Sequence, residues 1–371
     1  MKDTIKLCIV GWYGTETLGD RSILDGIICI FNQMYKNVAV SLGSLYPFYT
    51  ERTLLEEKEL LDSDIKVFDS KNNALLKKRV QDSDYVVLGG GPIMDIRELY
   101  IVERAFKYGK KYGKRNIIMG CGLGPLNSDE YISLAGEIIN ISDLIIYRDK
   151  LSWEYSTEIF GKSEYAFYLE DPAIVSICKY WESQDIEKRD AIAINLRKFP
   201  GACKQKDWPK EYTMAEFLNE LQKSYEKIYL VPMHSFFIGG DDREYLYQIL
   251  KLCSPKERIQ ILNRGLNLSE LYHIYASSQA CIGMRYHSVV MQTILNGNNY
   301  IFNYTDNNRG KISGFLSQIE AKEFYHNRVY DGERNETFQT QKIIEILKRN
   351  EKYEYHNTSK KIIEKYKEIM M

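Results

Sequence analysis

The sequence lacks the features that mark several common classes of protein. Its seven cysteines are scattered and never form a C-x-x-C pair, so neither a disulfide framework nor a thiolate zinc site is expected. No stretch of the chain stays apolar for the length of a membrane span. The formal net charge of the 371 residues is -1, which provides no bulk positive field to attract nucleic acid.

Signals for metal binding and for secretion are missing as well. The five histidines show no H-E-x-x-H or comparable spacing, so no metal site is predicted. The apolar stretch near the start of the chain is short and follows charged residues, unlike a secretory signal. We therefore expect a cytoplasmic protein with free thiols, and a peripheral contact with the inner face of the membrane stays open.

Short apolar runs alternate with amphipathic stretches along most of the chain. Each run ends in a polar or glycine-rich turn, a pattern that predicts α/β units whose parallel strands are buried on both faces. Strands are predicted at residues 6–10, 85–88, 116–119 and 144–147, and again at 191–195, 227–232, 258–262, 280–283 and 300–303.

A chain of this length usually forms more than one domain. Residues 1–180 and 190–335 each predict a Rossmann-like parallel-sheet domain, with the polar segment between them as a linker, and residues 336–371 predict closing C-terminal helices. In open α/β sheets ligands bind at the carboxyl ends of the strands. Two such domains that face one another would therefore form a binding cleft.

Two glycine motifs follow predicted strands of the first domain. The loop after the first strand contains Gly14 and ends at Asp20, where backbone N–H groups at a helix start can hold an anion or a hydroxyl-rich ligand. An ordinary loop in which Asp20 caps the helix is the alternative. The second motif has three consecutive glycines around Gly90 and ends at Asp95, which indicates close approach of a ligand or of the facing domain. A tight interdomain turn would also explain it.

Charged residues follow further predicted strands. Arg148 ends the strand at 144–147, where a guanidinium suits a carboxylate or phosphate, although a salt bridge inside the domain to Asp149 or Asp171 is equally compatible. Asp171 precedes a proline and would either accept from a substrate hydroxyl or cap the turn. His234, after the strand at 227–232, is either a cleft residue or a hydrogen-bonded loop histidine.

The end of the strand at 280–283 carries Arg285, Tyr286 and His287. On an extended backbone Arg285 and His287 would share one face, with Tyr286 on the other. An arginine and a histidine so placed can grip an anion and move a proton beside it. Lys311 brings another cation to the same edge after the next strand. These groups predict a site for a multiply charged anion, with a structural role as the alternative.

In their order along the chain, these motifs resemble those of the polysaccharide pyruvyltransferase family over roughly residues 5–320. The resemblance implies a GT-B-like pair of Rossmann-like domains that transfers the pyruvyl group of phosphoenolpyruvate to a sugar as a ketal. It implies that Arg148 and Arg285 clamp phosphoenolpyruvate, that His287 is the acid, and that Lys311, or Arg309 in the loop before it, binds phosphate. The remaining substrate-binding candidates are Tyr286, Gly14, Asp20, Gly90, Asp95, Asp171 and His234.

The resemblance also implies the partners of the reaction. Phosphoenolpyruvate is the donor substrate, no metal or nucleotide cofactor is required, and the acceptor is a sugar of a cell-surface polysaccharide or of its lipid-linked precursor. The first domain would be the acceptor side and the second the phosphoenolpyruvate side. A glycosyltransferase of the same build that uses a nucleotide sugar, and a noncatalytic sugar- or anion-binding relative, are the alternatives. The sequence predicts neither the acceptor sugar nor the oligomeric state.

Overall fold

The chain folds into two compact α/β units. The computed structural model describes residues 4–15, 17–57, 64–199, 208–306, 310–331 and 337–371. The first unit comprises Met1–Lys179 and Asn357–Met371, and the second comprises Tyr180–His356. Arg309, the alternative phosphate ligand, lies outside the described residues.

The first unit is built on a seven-stranded parallel sheet. Its strands are β1 (Ile5–Val10), β2 (Val38–Ser44), β3 (Asp64–Asp69), β4 (Tyr85–Gly89), β5 (Arg115–Cys121), β6 (Leu144–Tyr147) and β7 (Ala166–Tyr168). The helices that connect and follow them are α1 (Leu18–Met34), α2 (Pro47–Glu56), α3 (Asn73–Gln81), α4 (Leu99–Lys111), α5 (Asp129–Asn140), α6 (Lys150–Phe160) and α7 (Pro172–Glu182). The strand order is β3-β2-β1-β4-β5-β6-β7.

This order creates a switch point between β1 and β4. From β1 the chain builds the sheet in one direction through β2 and β3, and from β4 it builds in the other. At such a point the loops after the two central strands diverge and leave a crevice at their carboxyl ends. The loop after β1 and the loop after β4 are the two glycine motifs of the sequence.

The second unit repeats this plan with six parallel strands. Its strands are β8 (Arg189–Ile194), β9 (Lys227–Leu230), β10 (Ile259–Ile261), β11 (Ser278–Gly283), β12 (Asn299–Asn303) and β13 (Val329–Asp331). Its helices are α8 (Glu211–Leu221), α9 (Asp242–Leu252), α10 (Leu268–Ser277), α11 (Tyr286–Leu295), α12 (Lys311–Gln318) and α13 (Thr340–Lys348). The order β10-β9-β8-β11-β12-β13 places a second switch point between β8 and β11.

The C-terminal segment contributes to both units. Helix α13 belongs to the second unit, whereas α14 (Ser359–Met370) returns to the first. The hydroxyl of Tyr366 donates to the carbonyl of Glu170 at 2.7 Å, and Nη1 of Arg115 donates to the carbonyl of Met370 at 2.8 Å. The last helix therefore completes the first unit, although the whole second unit lies between them in the sequence.

Continuous apolar sequence accounts for the central strands. All four residues of β6 are buried, and the central strands and helices share a core that includes Val10, Val86, Phe106, Ile118 and Ile145. Burial on both faces is typical of parallel sheets covered by helices, which confirms the predicted α/β class. Among the described residues, no helix combines the length and apolar character needed to cross a bilayer.

Candidate functional site

The carboxyl edge of the second sheet brings several cations together. Arg197 follows β8 and Arg285 follows β11, on either side of the switch point. Tyr304 follows β12, and Lys311 is the first residue of α12. The Arg197 guanidinium lies 5.4 Å and the Lys311 ammonium 5.3 Å from the centre of the Tyr304 ring. We refer to Arg197, Arg285, Lys311 and Tyr304 as the cation cluster.

Arg285 is held by both its backbone and its side chain. Its Nε donates to both carboxylate oxygens of Asp242, at 2.9 and 2.8 Å, and Nη2 donates to Oδ1 at 2.6 Å. Its backbone N–H donates to Oδ1 of Asn195 at 2.9 Å. Asp242 is 1% exposed, whereas 16% of the Arg285 side chain stays exposed. The guanidinium is therefore fixed in orientation and still presents surface to a ligand.

His234 lies in the loop that leads to α9 and supports the same pair. Its backbone N–H donates to Oδ2 of Asp242 at 3.2 Å, and its Nε2 lies 2.6 Å from the carbonyl of Ile238. Because a carbonyl only accepts, Nε2 carries the proton. Burial, and then the charge of Arg285, lower the pKa of His234, which favours the neutral ring. These contacts match the alternative of a hydrogen-bonded loop histidine.

The cations of the cluster change the pKa of the Tyr304 phenol. Burial alone would raise its pKa, but the charges of Lys311, Arg197 and Arg285 lower the pKa of Tyr304 to about 8. Burial and the nearby Arg285 in turn lower the pKa of Arg197. Two arginines and a lysine thus converge on one edge, and an anion placed there would offset the repulsion between Arg197 and Arg285.

The backbone around His287 differs from the one predicted. The strand ends at Gly283, Arg285 is the N-cap residue and α11 begins at Tyr286, so the prediction of an extended Arg285–His287 segment is wrong. The buried Tyr286 packs its ring 6.3 Å from that of Phe315. Half-buried His287 lies in the first turn of α11, with its ring 4.8 Å from that of Tyr286. Helix α11 begins three residues after the last residue of β11, so the extended backbone ends before His287.

Arg148 occupies a buried ionic network of the first unit. Its side chain is 3% exposed, with Nε 3.8 Å from Asp149 and Nη1 3.9 Å from Asp171. Asp149 caps α6 by accepting from the backbone N–H of Ser152 at 2.8 Å, and Asp171 accepts from that of Ala173 at 2.9 Å. This geometry matches the alternative of a salt bridge inside the domain. The contact of Arg148 with phosphoenolpyruvate stays a prediction.

The other candidates of the first unit lie at its switch point or in the loop beyond it. Asp20 is buried in the first turn of α1, whose N-cap residue is Thr17, so the alternative of Asp20 as the cap is wrong. Gly14 has φ +92°, and a β-carbon there would lie 2.4 Å from Oγ of Ser44, so a glycine is needed for packing. Asp95 is half-buried and accepts from the backbone N–H of Asn127 at 2.9 Å.

Three site residues were missed from the sequence. Arg197 lies three residues beyond β8, Asn195 ties the start of α11 to β8 and β9, and Asp242 orients Arg285. The rule that drew attention to Arg148, a cation just after a buried strand, would have found Arg197 too. Across the described residues, no group of three or more His, Cys, Asp and Glu side chains is placed to hold a metal ion.

Comparison with known proteins identifies a family and a fold. The sequence model described as "Polysaccharide pyruvyl transferase" matches residues 18–307. No curated protein matches the chain. UDP-N-acetylglucosamine 2-epimerase from Rickettsia bellii is a similar solved structure, at 11% identity and a TM-score of 0.61 over 99% of this chain and 96% of that one.

Two further solved structures have the same architecture. UDP-GlcNAc 2-epimerase from Neisseria meningitidis, bound to UDP-GlcNAc, aligns at 12% identity and a TM-score of 0.60, covering 98% of this chain and 100% of that one. A glycosyltransferase from Rickettsia africae aligns at 13% identity and a TM-score of 0.51, covering 99% and 98%. At these identities the likeness concerns the fold alone. It confirms the predicted GT-B-like class of two parallel-sheet α/β units.

Proposed function

Because the chain belongs to the polysaccharide pyruvyl transferase family, we propose that it transfers the pyruvyl group of phosphoenolpyruvate to a sugar as a cyclic ketal. The observation that carries this proposal is the cation cluster at the second switch point. Phosphoenolpyruvate bears a carboxylate and a phosphate on the same carbon, C2, and guanidinium groups bind both kinds of oxyanion through paired N–H donors. An uncharged donor would gain nothing from these cations.

Each cation has a distinct part in the proposed complex. Arg285 is already oriented by Asp242 and presents its exposed edge to the donor. Lys311 at the start of α12 and Arg197 after β8 neutralise the phosphate, which leaves more readily when its developing charge is stabilised. Arg148 enters the proposal as a positioning residue, because its guanidinium is buried against Asp149 and Asp171.

His287 supplies the proton that starts the reaction. Its acid form transfers a proton to the vinyl methylene of phosphoenolpyruvate, which makes C2 electrophilic. One sugar hydroxyl bonds to C2, the bond from C2 to the phosphate oxygen breaks with its electron pair, and a second hydroxyl of the same sugar closes the ring. Of the two hydroxyl protons released, one restores His287 and the other leaves with phosphate. Phosphoenolpyruvate and a diol thus become a pyruvyl ketal and inorganic phosphate.

The acceptor side of the proposal rests on the first unit. Asp20, Asp95 and Asp171 are the carboxyl groups there that bind acceptor hydroxyls or act as the general base. We propose a sugar of a cell-surface polysaccharide or of its lipid-linked precursor as the acceptor, modified in the cytoplasm or at the inner membrane face. The lysines of α13 and α14 would assist a peripheral membrane contact, with ordinary solvated helix faces as the alternative explanation of these charges.

A thermal-shift titration tests the donor directly. A ligand that binds only the folded protein stabilises it by RT ln(1 + [L]/Kd), so the melting temperature rises as the ligand concentration exceeds the dissociation constant. Phosphoenolpyruvate should stabilise the wild type by several degrees, whereas UDP and GDP should not. Release of inorganic phosphate from phosphoenolpyruvate, assayed against a panel of methyl hexosides and oligosaccharides, then tests turnover.

The other outcomes separate the alternatives. Stabilisation by UDP or GDP alone would identify a nucleotide-sugar glycosyltransferase and overturn the proposal. Stabilisation by phosphoenolpyruvate without phosphate release from any acceptor would favour a noncatalytic anion-binding relative.

A further inference from the structure

The hydroxyl group of Tyr13 is an unusual feature of the first switch point. Tyr13 lies in the loop between β1 and α1, and its side chain is 5% exposed. Among the described residues, none forms a hydrogen bond with this hydroxyl. A buried hydroxyl without a partner is costly, and such groups in folded proteins are commonly satisfied by a ligand or by water. The loop itself is fixed, because the carbonyl of Tyr13 accepts from the backbone N–H of Leu45 at 2.9 Å.

Asp20 and Gly90 lie beside the same hydroxyl. A β-carbon on Gly90 would lie 3.3 Å from Oη of Tyr13 and 3.4 Å from Oδ1 of Asp20. The two oxygen atoms therefore border one small region next to the Gly90 backbone. The region lies at the carboxyl ends of β1 and β4, where ligands bind in sheets of this order.

The chemistry of the two oxygen atoms selects a hydroxyl group. Burial raises the pKa of Tyr13 well above its ordinary value, and the neighbouring Asp20 raises it further, so Tyr13 is a donor. The carboxylate of Asp20 is an acceptor. A group that contacts both must accept from one and donate to the other, as a hydroxyl does. A carboxylate or phosphate would meet the negative charge of Asp20.

Tyr13 and Asp20 also border a small cavity. Its volume is about 30 Å³, and its other lining residues include Gly14, Thr17 and Arg21. A volume of that size holds a group as large as a water molecule but not a sugar ring. The half-buried Trp12 borders the same cavity and offers an aromatic surface beside it.

From this geometry we propose that Tyr13 and Asp20, which both lie next to Gly90, form a subsite for one hydroxyl of the uncharged sugar that receives the pyruvyl group. Tyr13 donates a hydrogen bond to the oxygen of that hydroxyl, and Asp20 accepts its hydrogen. The assignment of this sugar as the acceptor rests on the proposed function. The subsite itself is a prediction about binding, and it can fail or hold independently of phosphoenolpyruvate.

The experiment compares the wild type with Tyr13→Phe by ligand-observed saturation-transfer NMR. The probes are uncharged methyl hexosides, including the galactoside, mannoside and glucoside. The wild type should transfer saturation to at least one of them, and Tyr13→Phe should lose most of that signal. Because the hydroxyl forms no hydrogen bond with a described residue, Tyr13→Phe should keep the melting temperature of the wild type or raise it.

Tyr147→Phe is the matched control in the same unit. Tyr147 is also buried, but its hydroxyl lies 2.6 Å from Oγ of Ser156, so the variant should melt about 2–4 °C lower and keep the sugar signal. Equal signals in the wild type and Tyr13→Phe, no signal in the wild type, or a loss of stability in Tyr13→Phe would each overturn the subsite. Stabilisation by phosphoenolpyruvate is measured on the same samples, so failure of the proposed donor is seen separately.

Discussion

The crevice between β1 and β4 and the crevice between β8 and β11 occupy the same place in two parallel sheets. In the second unit, Arg197 and Arg285 follow the two central strands and converge with Lys311 on Tyr304. In the first unit, the corresponding loops carry glycines, the buried Tyr13 and Asp20. One switch point is strongly cationic, whereas the other combines a neutral donor with an acid.

The two crevices therefore differ in charge although they share one backbone plan. The backbone plan creates a crevice in each unit, and the residues immediately after the central strands decide what binds there. A cation at a strand end does not always face a ligand. Arg148 follows β6, yet it is buried against two carboxylates. We infer that the second unit binds the charged donor and the first binds the uncharged acceptor.

The largest effect should come from His287→Gln. Loss of the proton donor should reduce phosphate release by about 10²- to 10⁴-fold, because protonation of the vinyl group is required before attack. The amide cannot act as an acid, but it keeps a similar size at the start of α11. The shift in melting temperature caused by phosphoenolpyruvate should persist. If the variant retains turnover, another group protonates the substrate.

Substitution of Arg285 should weaken donor binding by a smaller factor. Loss of a charge-assisted contact should reduce the affinity for phosphoenolpyruvate roughly 10- to 100-fold. The single variant Arg285→Gln also leaves the buried Asp242 without its cation, at a cost of about 3 kcal/mol in stability. The double variant Arg285→Gln with Asp242→Asn should recover much of that stability but none of the affinity, as calorimetric titration would show.

Arg243→Gln is the control for this prediction. Arg243 pairs with Asp241, the residue before Asp242, and the Arg243 side chain is 33% exposed. The variant removes an Arg–Asp pair from the same loop region without touching the cation cluster. Its affinity for phosphoenolpyruvate should equal that of the wild type. An equal loss of affinity in both variants would mean that general charge, not Arg285, attracts the donor.

Tyr304 should make donor binding depend on pH. Its phenolate competes with the donor for the same cations, so wild-type affinity for phosphoenolpyruvate should fall above pH 8 by up to about tenfold per pH unit. Tyr304→Phe should remove this fall. Calorimetric titrations of both proteins from pH 7 to 9 provide the check, and parallel curves would show that Tyr304 stays neutral.

The same ionisation should make the ligand-free protein more stable as the pH rises, whereas it weakens donor binding. The pKa of Tyr304 is lowered to about 8 in the folded state from an ordinary value near 10. The ionised form therefore favours folding, and this contribution is complete above pH 10, shrinks as the pH falls towards 8 and is absent below it. The wild type should gain melting temperature relative to Tyr304→Phe as the pH rises from 8 to 10.

Arg148→Gln should have the smallest effect on the donor. Its removal leaves Asp149 and Asp171 buried without their cation, so the first unit should lose about 3–5 kcal/mol of stability. Affinity for phosphoenolpyruvate, measured below the lowered melting temperature, should not change. A loss comparable to that of Arg285→Gln would restore Arg148 as part of the donor clamp.

The central strands were predictable because burial on both faces leaves continuous apolar runs. Strand β6 matches its predicted range residue for residue. Four strands were missed, and all lie at or near a sheet edge: β2, β3, β7 and β13. Strand β3 reads Asp-Ile-Lys-Val-Phe-Asp and alternates exposed and covered positions, while β7 and β13 have three residues each. Edge strands have less apolar sequence and so give a weaker signal.

The parts of the site that lie at a strand end were predictable from the sequence. The parts that depend on contacts between residues far apart in the sequence were not. The Arg285 segment was found, but its bond to Asp242 joins residues 43 positions apart. The return of α14 to the first unit, through Tyr366 and Glu170, likewise spans 196 positions. Such contacts follow from the folded topology, which local periodicity does not encode.

Hydrogen exchange with and without phosphoenolpyruvate tests the assignment of the donor to the second unit most directly. Binding should slow exchange in the loops after β8, β11 and β12, around Arg197, Arg285 and Tyr304, and leave the loop of Tyr13 and the Gly90 turn unchanged. Protection confined to the loops after β1 and β4 would contradict the assignment of the donor to the second unit.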